Sequence, residues 1–220
     1  MIAPPALSSM EAVRYFRKRL QRKLFDFRFR DWPERQRGEL YWWHGQLQRI
    51  RAWYEGRKVG VDWFDNKPLS DADRITGHSP LENAIRTWVQ RDVGYYPGAL
   101  RVSADHFAGM RVCDLGCGPI PSALAFTDCQ IFGVDRLVKG YKALGYPLDT
   151  YPKRMTYING SAENIPVEDH FFDAVISVNA LDHVDNFPAA ASEICRVLRR
   201  AGGYDFKFTI TNQPSSNHGR

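Results

Sequence analysis

Residues Arg111 to Pro121, RVCDLGCGPIP, decide the fold. Val112, Cys113 and Leu115 read as a short buried strand that carries an acid, Asp114, and runs directly into a turn built from Gly116, Cys117 and Gly118. A turn this tight needs residues without a Cβ, because side chains there would keep the backbone from approaching a ligand. About 20 residues on, Gln130 to Asp135 (QIFGVD) reads as a second buried strand that also ends in an acid. The glycines admit a ligand, and the Asp135 carboxylate can accept two hydrogen bonds from a ribose diol, which together make a nucleotide-type site.

Outward from this stretch, strands and helices alternate. A helix with Leu137, Val138, Tyr141 and Leu144 on its inner face is closed by Gly145. Residues 155–158 form a third strand. Residues 172–178 form a fourth, nearly continuous in apolar residues as a buried parallel strand should be. A helix over 189–200 and a fifth strand over 204–210 follow. The alternation implies an α/β fold with a parallel sheet wound by right-handed crossovers.

Upstream, the chain changes character. Residues 1–60 hold 14 Lys and Arg against 6 Asp and Glu, and all six tryptophans (Trp32, Trp42, Trp43, Trp53, Trp63, Trp88) precede residue 100. From Met10, Val13, Phe16, Leu20, Leu24 and Phe27 share one helical face, opposite Arg14, Arg17, Lys18, Arg19, Arg22 and Lys23. A docked helix with a solvated basic side is the favoured reading. A grip on phosphates or anionic lipid, or an organelle-targeting segment, are the alternatives. The alternation of Phe25, Phe27 and Phe29 suggests that the helix gives way to extended chain there. A second long helix starts near Asp31-Trp-Pro and carries Leu40, Trp43, Leu47, Ile50 and Tyr54 to Gly56. Residues 61–77 read as a loop. Ser79-Pro-Leu-Glu82 is a capping box, followed by a stripe of Leu81, Ala84, Ile85, Trp88 and Val89. Tyr95 to Gly98 reads as a break. The division expected is a helical extension over 1–100 and a ligand-binding core over 101–220.

At 44% hydrophobic and 25% charged residues, the composition is that of a soluble globular protein. No apolar run reaches the ~20 residues of a transmembrane helix, and no signal-type apolar region follows the N-terminus. Cys113, Cys117, Cys129 and Cys195 form no CxxC pair, so reduced thiols and a cytoplasmic location are expected. The six histidines offer no metal-ligand spacing, so no metal site is expected.

VCDLGCGP, GVD, NGSAENIP, FFDAVISVNALDHVDN and EICRVLRRAGG occur in that order between residues 109 and 211. In this the chain resembles the class I S-adenosylmethionine-dependent methyltransferases, in their small-molecule subgroup. The resemblance implies a Rossmann-like doubly wound sheet, S-adenosylmethionine as cofactor with S-adenosylhomocysteine as product, and a small-molecule acceptor. By the same resemblance, Asp114, Gly116, Cys117 and Gly118 hold the methionine part, and Asp135 binds the ribose. The first turn of a helix over 122–126 would face the ligand's carboxylate. Ser161 and Ala162 stand where the adenine is held, with Glu163 as a substitute for the usual acid or else a plain surface carboxylate. Asn179 would line the cofactor. His183 and Asp182, at the acceptor mouth, are the candidates for removing an acceptor proton, with a helix-start or packing role as the alternative. Two features depart from the family pattern: Ile120 replaces the last glycine of its GxGxG, and little chain follows the fifth strand. The expected sheet therefore stops at five strands in order 3-2-1-4-5, with a fifth-strand edge that a homodimer or the N-terminal helices would cover.

Methyl transfer to a sugar or other secondary metabolite is the leading expectation. The competitors are a methyltransferase fold that binds a partner without catalysis, an RNA methyltransferase, and, more distantly, a nicotinamide oxidoreductase.

Overall fold

The computed structural model describes residues 9–57, 69–92, 95–199 and 209–211. It divides into two compact units, Met1–Gln48 and Arg49–Arg220.

The second unit holds the sheet. Strands β1 (Arg111–Leu115), β2 (Gln130–Asp135), β3 (Met155–Asn159) and β4 (Ala174–Val178) are all parallel, in the order β3-β2-β1-β4. The three residues Thr209–Thr211, β5, lie parallel beside β4. The remainder of the expected fifth strand, residues 204–208, lies outside the described residues. β1 and β4 are buried almost throughout, as expected of strands covered on both faces. On one face, Cys113, Leu115, Val134, Phe172, Val175, Ile194 and Val197 form a continuous core, and Ile194 and Val197 come from the amphipathic helix α6 (Phe187–Val197). That helix is two residues earlier at its start than the sequence suggests. Asn186 caps it by accepting from the Ala189 N–H, so the helix begins where a side chain satisfies its first amides. It ends three residues early because Leu198 turns out to pair with Phe172 in an isolated bridge.

Among the described residues, four helices precede the strands and a fifth joins β2 to β3. α1 (Ser9–Arg28) and α2 (Glu34–Tyr54) come first; α3 (Pro80–Asp92) starts at the expected capping box, with Ser79 Oγ accepting from the Glu82 N–H. α4 (Tyr95–Leu100) is a helical turn and a half where the sequence suggested a break. It forms because Tyr96 and Leu100, four apart, are both buried on one side. α5 (Val138–Leu144) ends at Gly145 in the left-handed region, φ 98°, as expected. After the glycine turn, the expected helix over 122–126 is a single 3-10 turn, Ser122–Ala125. Its Ser122 and Leu124 amides already donate to Ile120 and Pro121 carbonyls, so it does not present a helix N-terminus to a ligand.

The first unit corrects the reading of α1. The helix continues through Phe25 and Phe27 to Arg28 without an extended piece. Phe25 and Phe29 are the buried residues, stacked 4.6 Å apart, with Phe25 edge-on to Tyr41 of α2 at 5.1 Å. The stripe expected to dock, Val13, Phe16, Leu20, Leu24 and Phe27, is 59–67% exposed.

Candidate functional site

Ligands of open α/β sheets bind beyond the carboxyl ends of the strands, and the loops that leave β1, β2, β3 and β4 meet there. Gly116 (φ 74°) and Gly118 (φ 60°) both occupy the left-handed region that favours glycine. A Cβ on Gly116 would lie 2.2 Å from the Cβ of Ala180, so the loops after β1 and β4 touch where a side chain has no room.

Asp114 is fully buried in β1. Tyr96 of α4 donates to its Oδ1 at 3.3 Å, whereas Oδ2 has no hydrogen-bond partner. Burial pushes its carboxyl up to about 7, the Tyr96 hydrogen bond works the other way, and the nearby Asp135 charge adds to the rise. Asp114 is paired in register with Gly133 of β2, and Gly133 with Tyr157 of β3. Gly133 leaves a gap in that row, filled by Cys117: a Cβ on Gly133 would lie 2.6 Å from the Cys117 Sγ. Cys117 therefore points into the sheet. Its thiol is pushed up by burial and then by the carboxylates of Asp135 and Asp114, which keeps it protonated. The Tyr157 hydroxyl, buried and in the field of the same groups, is also without a partner.

Asp135 stands at the tip of β2 but is 8% exposed and occupied. Its Oδ1 accepts from the Leu137 N–H at 2.8 Å; its Oδ2 accepts from the Gly118 N–H at 3.0 Å and the Tyr141 hydroxyl at 3.2 Å. Burial raises its pKa, and the two amide bonds oppose that rise. The carboxylate thus ties the glycine turn to β2.

The remaining candidates divide. Ser161 pairs with Asn164 in a backbone bridge, and Ala162 packs against the core. Glu163 accepts from the backbone amides of Asp185 (2.8 Å) and Asn186 (3.3 Å), which joins the loop after β3 to the start of α6 and holds its carboxyl below the usual range despite partial burial. Asn179 sits at the end of β4 in the left-handed region, φ 54°, with Nδ2 3.5 Å from the Tyr95 hydroxyl. Asp182 and His183 occupy the turn beyond it. Their side chains are 3.5 Å apart and substantially exposed. Arg136, next to Asp135, reaches across to Asp185 at 3.1 Å.

Tyr96, Tyr141, Tyr151 and Tyr157 were not singled out in the sequence as site residues. Tyr151 donates to the Pro119 carbonyl at the end of the glycine turn, at 3.1 Å. The signal available was a tyrosine at an otherwise apolar position, since a buried phenol must find a partner. A hollow of about 810 Å³ opens at the other, amino-terminal edge of the sheet beside Arg111, Asp128 and Arg199. Its arginines are engaged within the protein: Arg199 with Asp173, and Arg154 with the carbonyls of Leu124 and Phe126.

Residues 113–204 match the family model described as a methyltransferase domain. The ubiquinone biosynthesis O-methyltransferase of Leptothrix cholodnii is 28% identical over 158 residues, 70% of this chain and 60% of that protein. Its namesake from Nitrosospira multiformis is 30% identical over 112 residues, 50% of this chain and 46% of that protein. Among solved structures, an arsenic(III) S-adenosylmethionine methyltransferase from Chlamydomonas reinhardtii is 24% identical, with a TM-score of 0.37, over 50% of this chain and 45% of that one. The chain spans 60% or less of the length of these relatives. Residues 113–204 thus match a methyltransferase domain, and with the glycine turn, Asp114, Asp135 and the parallel order β3-β2-β1-β4 they are similar to the class I S-adenosylmethionine-dependent methyltransferases.

Proposed function

We propose that this chain transfers a methyl group from S-adenosylmethionine to a hydroxyl of a small-molecule acceptor. The observation that carries the reading is Asp114 Oδ2, an ionisable oxygen fully buried beside a glycine turn with no hydrogen-bond partner among the described residues. A buried carboxyl with an unfilled oxygen costs stability unless something is bound there. A cationic amino group is the partner that best repays it, and the cofactor's methionine end carries one. The competing role, a fold kept for binding a partner without catalysis, gives no reason to retain this carboxyl.

The residues present fit the cofactor at one end directly and at the other by exchange. Asp114, Gly116, Cys117 (through its backbone) and Gly118 would hold the methionine part. Asp135 would accept the ribose hydroxyls after releasing the Gly118 N–H, an exchange that a residue without a Cβ allows. Ser161, Ala162 and Asn179 would flank the nucleoside. Glu163 would act at one remove, by fixing the loop. When bound, the cofactor supplies an electrophilic methyl group on a sulfonium. The chain supplies alignment of the acceptor oxygen and exclusion of water. His183, with Asp182 beside it, is placed at the mouth to take the acceptor's proton; its exposure requires that the acceptor itself cover the imidazole.

The acceptor class follows the relatives rather than the sugar favoured by the sequence: the curated relatives named above act in ubiquinone biosynthesis as O-methyltransferases. Tyr95, exposed beside the crevice, suits a planar ring. The test is titration with S-adenosylmethionine followed by a radiolabelled methyl-transfer assay against catechols and simple alcohols. Saturable binding and transfer to the catechols support the proposal. Absence of binding, or binding unaffected by Asp114→Ala, refutes it.

A further inference from the structure

Helix α1 carries an apolar face that the described residues leave exposed. Met10, Val13, Phe16, Leu20, Leu24 and Phe27 are 59–67% exposed. At ~100° per residue they form one stripe along the whole helix, on the side away from Phe25 and Phe29, which pack toward α2. Arg17 and Arg28 border the stripe on one side and Lys23 on the other, with Arg14, Lys18 and Arg19 further round. The helix holds seven basic residues against Glu11 and Asp26, and Asp26 is bonded to Arg22. Arg30 lies 4.8 Å from the centre of the Phe27 ring, so a cation also stands at the end of the stripe.

We propose that α1 lies in the plane of an anionic lipid surface, with the stripe among the acyl chains and the flanking Arg and Lys among the phosphates. A long helix with a polar, cationic remainder and a Phe- and Leu-rich face is the pattern of an interfacial helix. Among the described residues no helix is long and apolar enough to cross a membrane, which leaves the in-plane orientation. Charge decides against the other occupants. A second copy seated on the stripe would set Arg17 and Lys23 of each helix against the same cations of its partner, in either relative direction. RNA would satisfy the cations but leave six large apolar side chains in water. The proposal is independent of the methyl-transfer reading and reads out without it.

The experiment is flotation of the full chain with vesicles of phosphatidylcholine alone or with about 30% phosphatidylserine. The parent chain is expected to bind the anionic vesicles, and to release from them as salt is raised past the point where surface charges are screened. The triple variant Phe16→Ser, Leu20→Ser, Leu24→Ser should lose about 30-fold or more in partitioning, since it removes most of the apolar area from the stripe. The pair Arg17→Gln, Lys23→Gln leaves the stripe intact and should lose roughly 25-fold, about fivefold per cation. Unchanged far-ultraviolet circular dichroism keeps both variants interpretable. The proposal is overturned if the parent fails to float with anionic vesicles, or if the serine variant floats as well as the parent. It is equally overturned if light scattering finds a dimer that the serine variant converts to monomer, because the stripe is then occupied by a second copy.

Discussion

Asp114→Asn tests the site most directly, because burial of this carboxyl has two measurable consequences with opposite signs. Its pKa is raised from 3.8 to about 7 in the folded protein, with burial the largest cause. A raised carboxylate pKa contributes its full stability below about pH 4, where both folded and unfolded forms hold the proton. That contribution is lost as the pH rises towards 7, because the unfolded chain ionises freely and the folded one does not. At 1.36 kcal/mol per unit, a rise of about 3 units sets a ceiling of ~4 kcal/mol lost from the unliganded protein between pH 4 and pH 8. Asparagine cannot ionise, so Asp114→Asn should flatten this part of the profile and melt higher than the parent at pH 8. Cofactor binding should run the other way. A cation set against Oδ2 favours the carboxylate, so affinity should rise about tenfold per unit below pH 7, or roughly 30-fold from pH 5.5 to 8, with a proton released on binding. Calorimetry in two buffers of different ionisation enthalpy measures both quantities. Parallel thermal profiles for parent and variant from pH 4 to 8 would refute the buried titration. A sloping thermal profile with a pH-independent Kd would instead show that the cofactor's cation does not meet Asp114.

Three other perturbations separate the parts of the site. Gly116→Ala forces a Cβ into Ala180 at 2.2 Å and onto a positive φ, whereas Gly109→Ala at φ 77° meets nothing within 4 Å. The first should cost about 2–4 kcal/mol and abolish cofactor binding, the second only ~1 kcal/mol by chemical denaturation. Tyr96→Phe removes the hydrogen bond that opposes the rise at Asp114, so the pH midpoint of cofactor affinity should move above 7, as read by the same calorimetric series. Glu163→Gln weakens the hold on the Asp185 and Asn186 amides. Hydrogen exchange at those two amides should speed up, with ~1 kcal/mol lost at most because the carboxylate is partly exposed.

β1, β2 and β4 were legible because buried parallel strands are short apolar runs, with β1 running into Gly116 and β2 ending in Asp135, whereas β3 is only partly buried and was read from its place in the alternation. Caps were legible for the same local reason: Ser79 and Gly145 act within one turn of chain. Periodicity gave the start of α1 but neither its end, which runs on to Arg28, nor the face it buries. Two apolar edges compete on that helix, and the pair Phe25–Phe29 prevails in the first unit through a stack on itself and an edge contact with Tyr41 that no sequence pattern encodes. The tyrosines of the site were hidden because partner choice is tertiary. Tyr96 reaches Asp114 from 18 residues upstream, and Tyr141, which the sequence counts as one of an apolar stripe, donates to Asp135. Sequence alone does not choose between adenine ligand and surface acid for Glu163, because its partners are amides 22 and 23 residues away.

The two acids of the site are held in opposite conditions, and this bears on how a ligand enters. Asp135 has more donors than a ribose would offer it, while Asp114 has an oxygen with none. A ligand that reaches Asp114 first gains a charge-assisted bond at no loss of an existing one, because nothing occupies Oδ2. A ligand that reaches Asp135 first must break the Gly118 bond before it gains the diol contacts, and a buried amide left unpaired costs about 1–3 kcal/mol. On the proposed reading, the methionine end is the anchor and the nucleoside end the one that adjusts. On that reading Gly118 is the residue that yields, since its positive φ and missing side chain would let its amide turn from Asp135 to the incoming ligand. The glycine that closes the turn onto β2 would then also be the one that opens it.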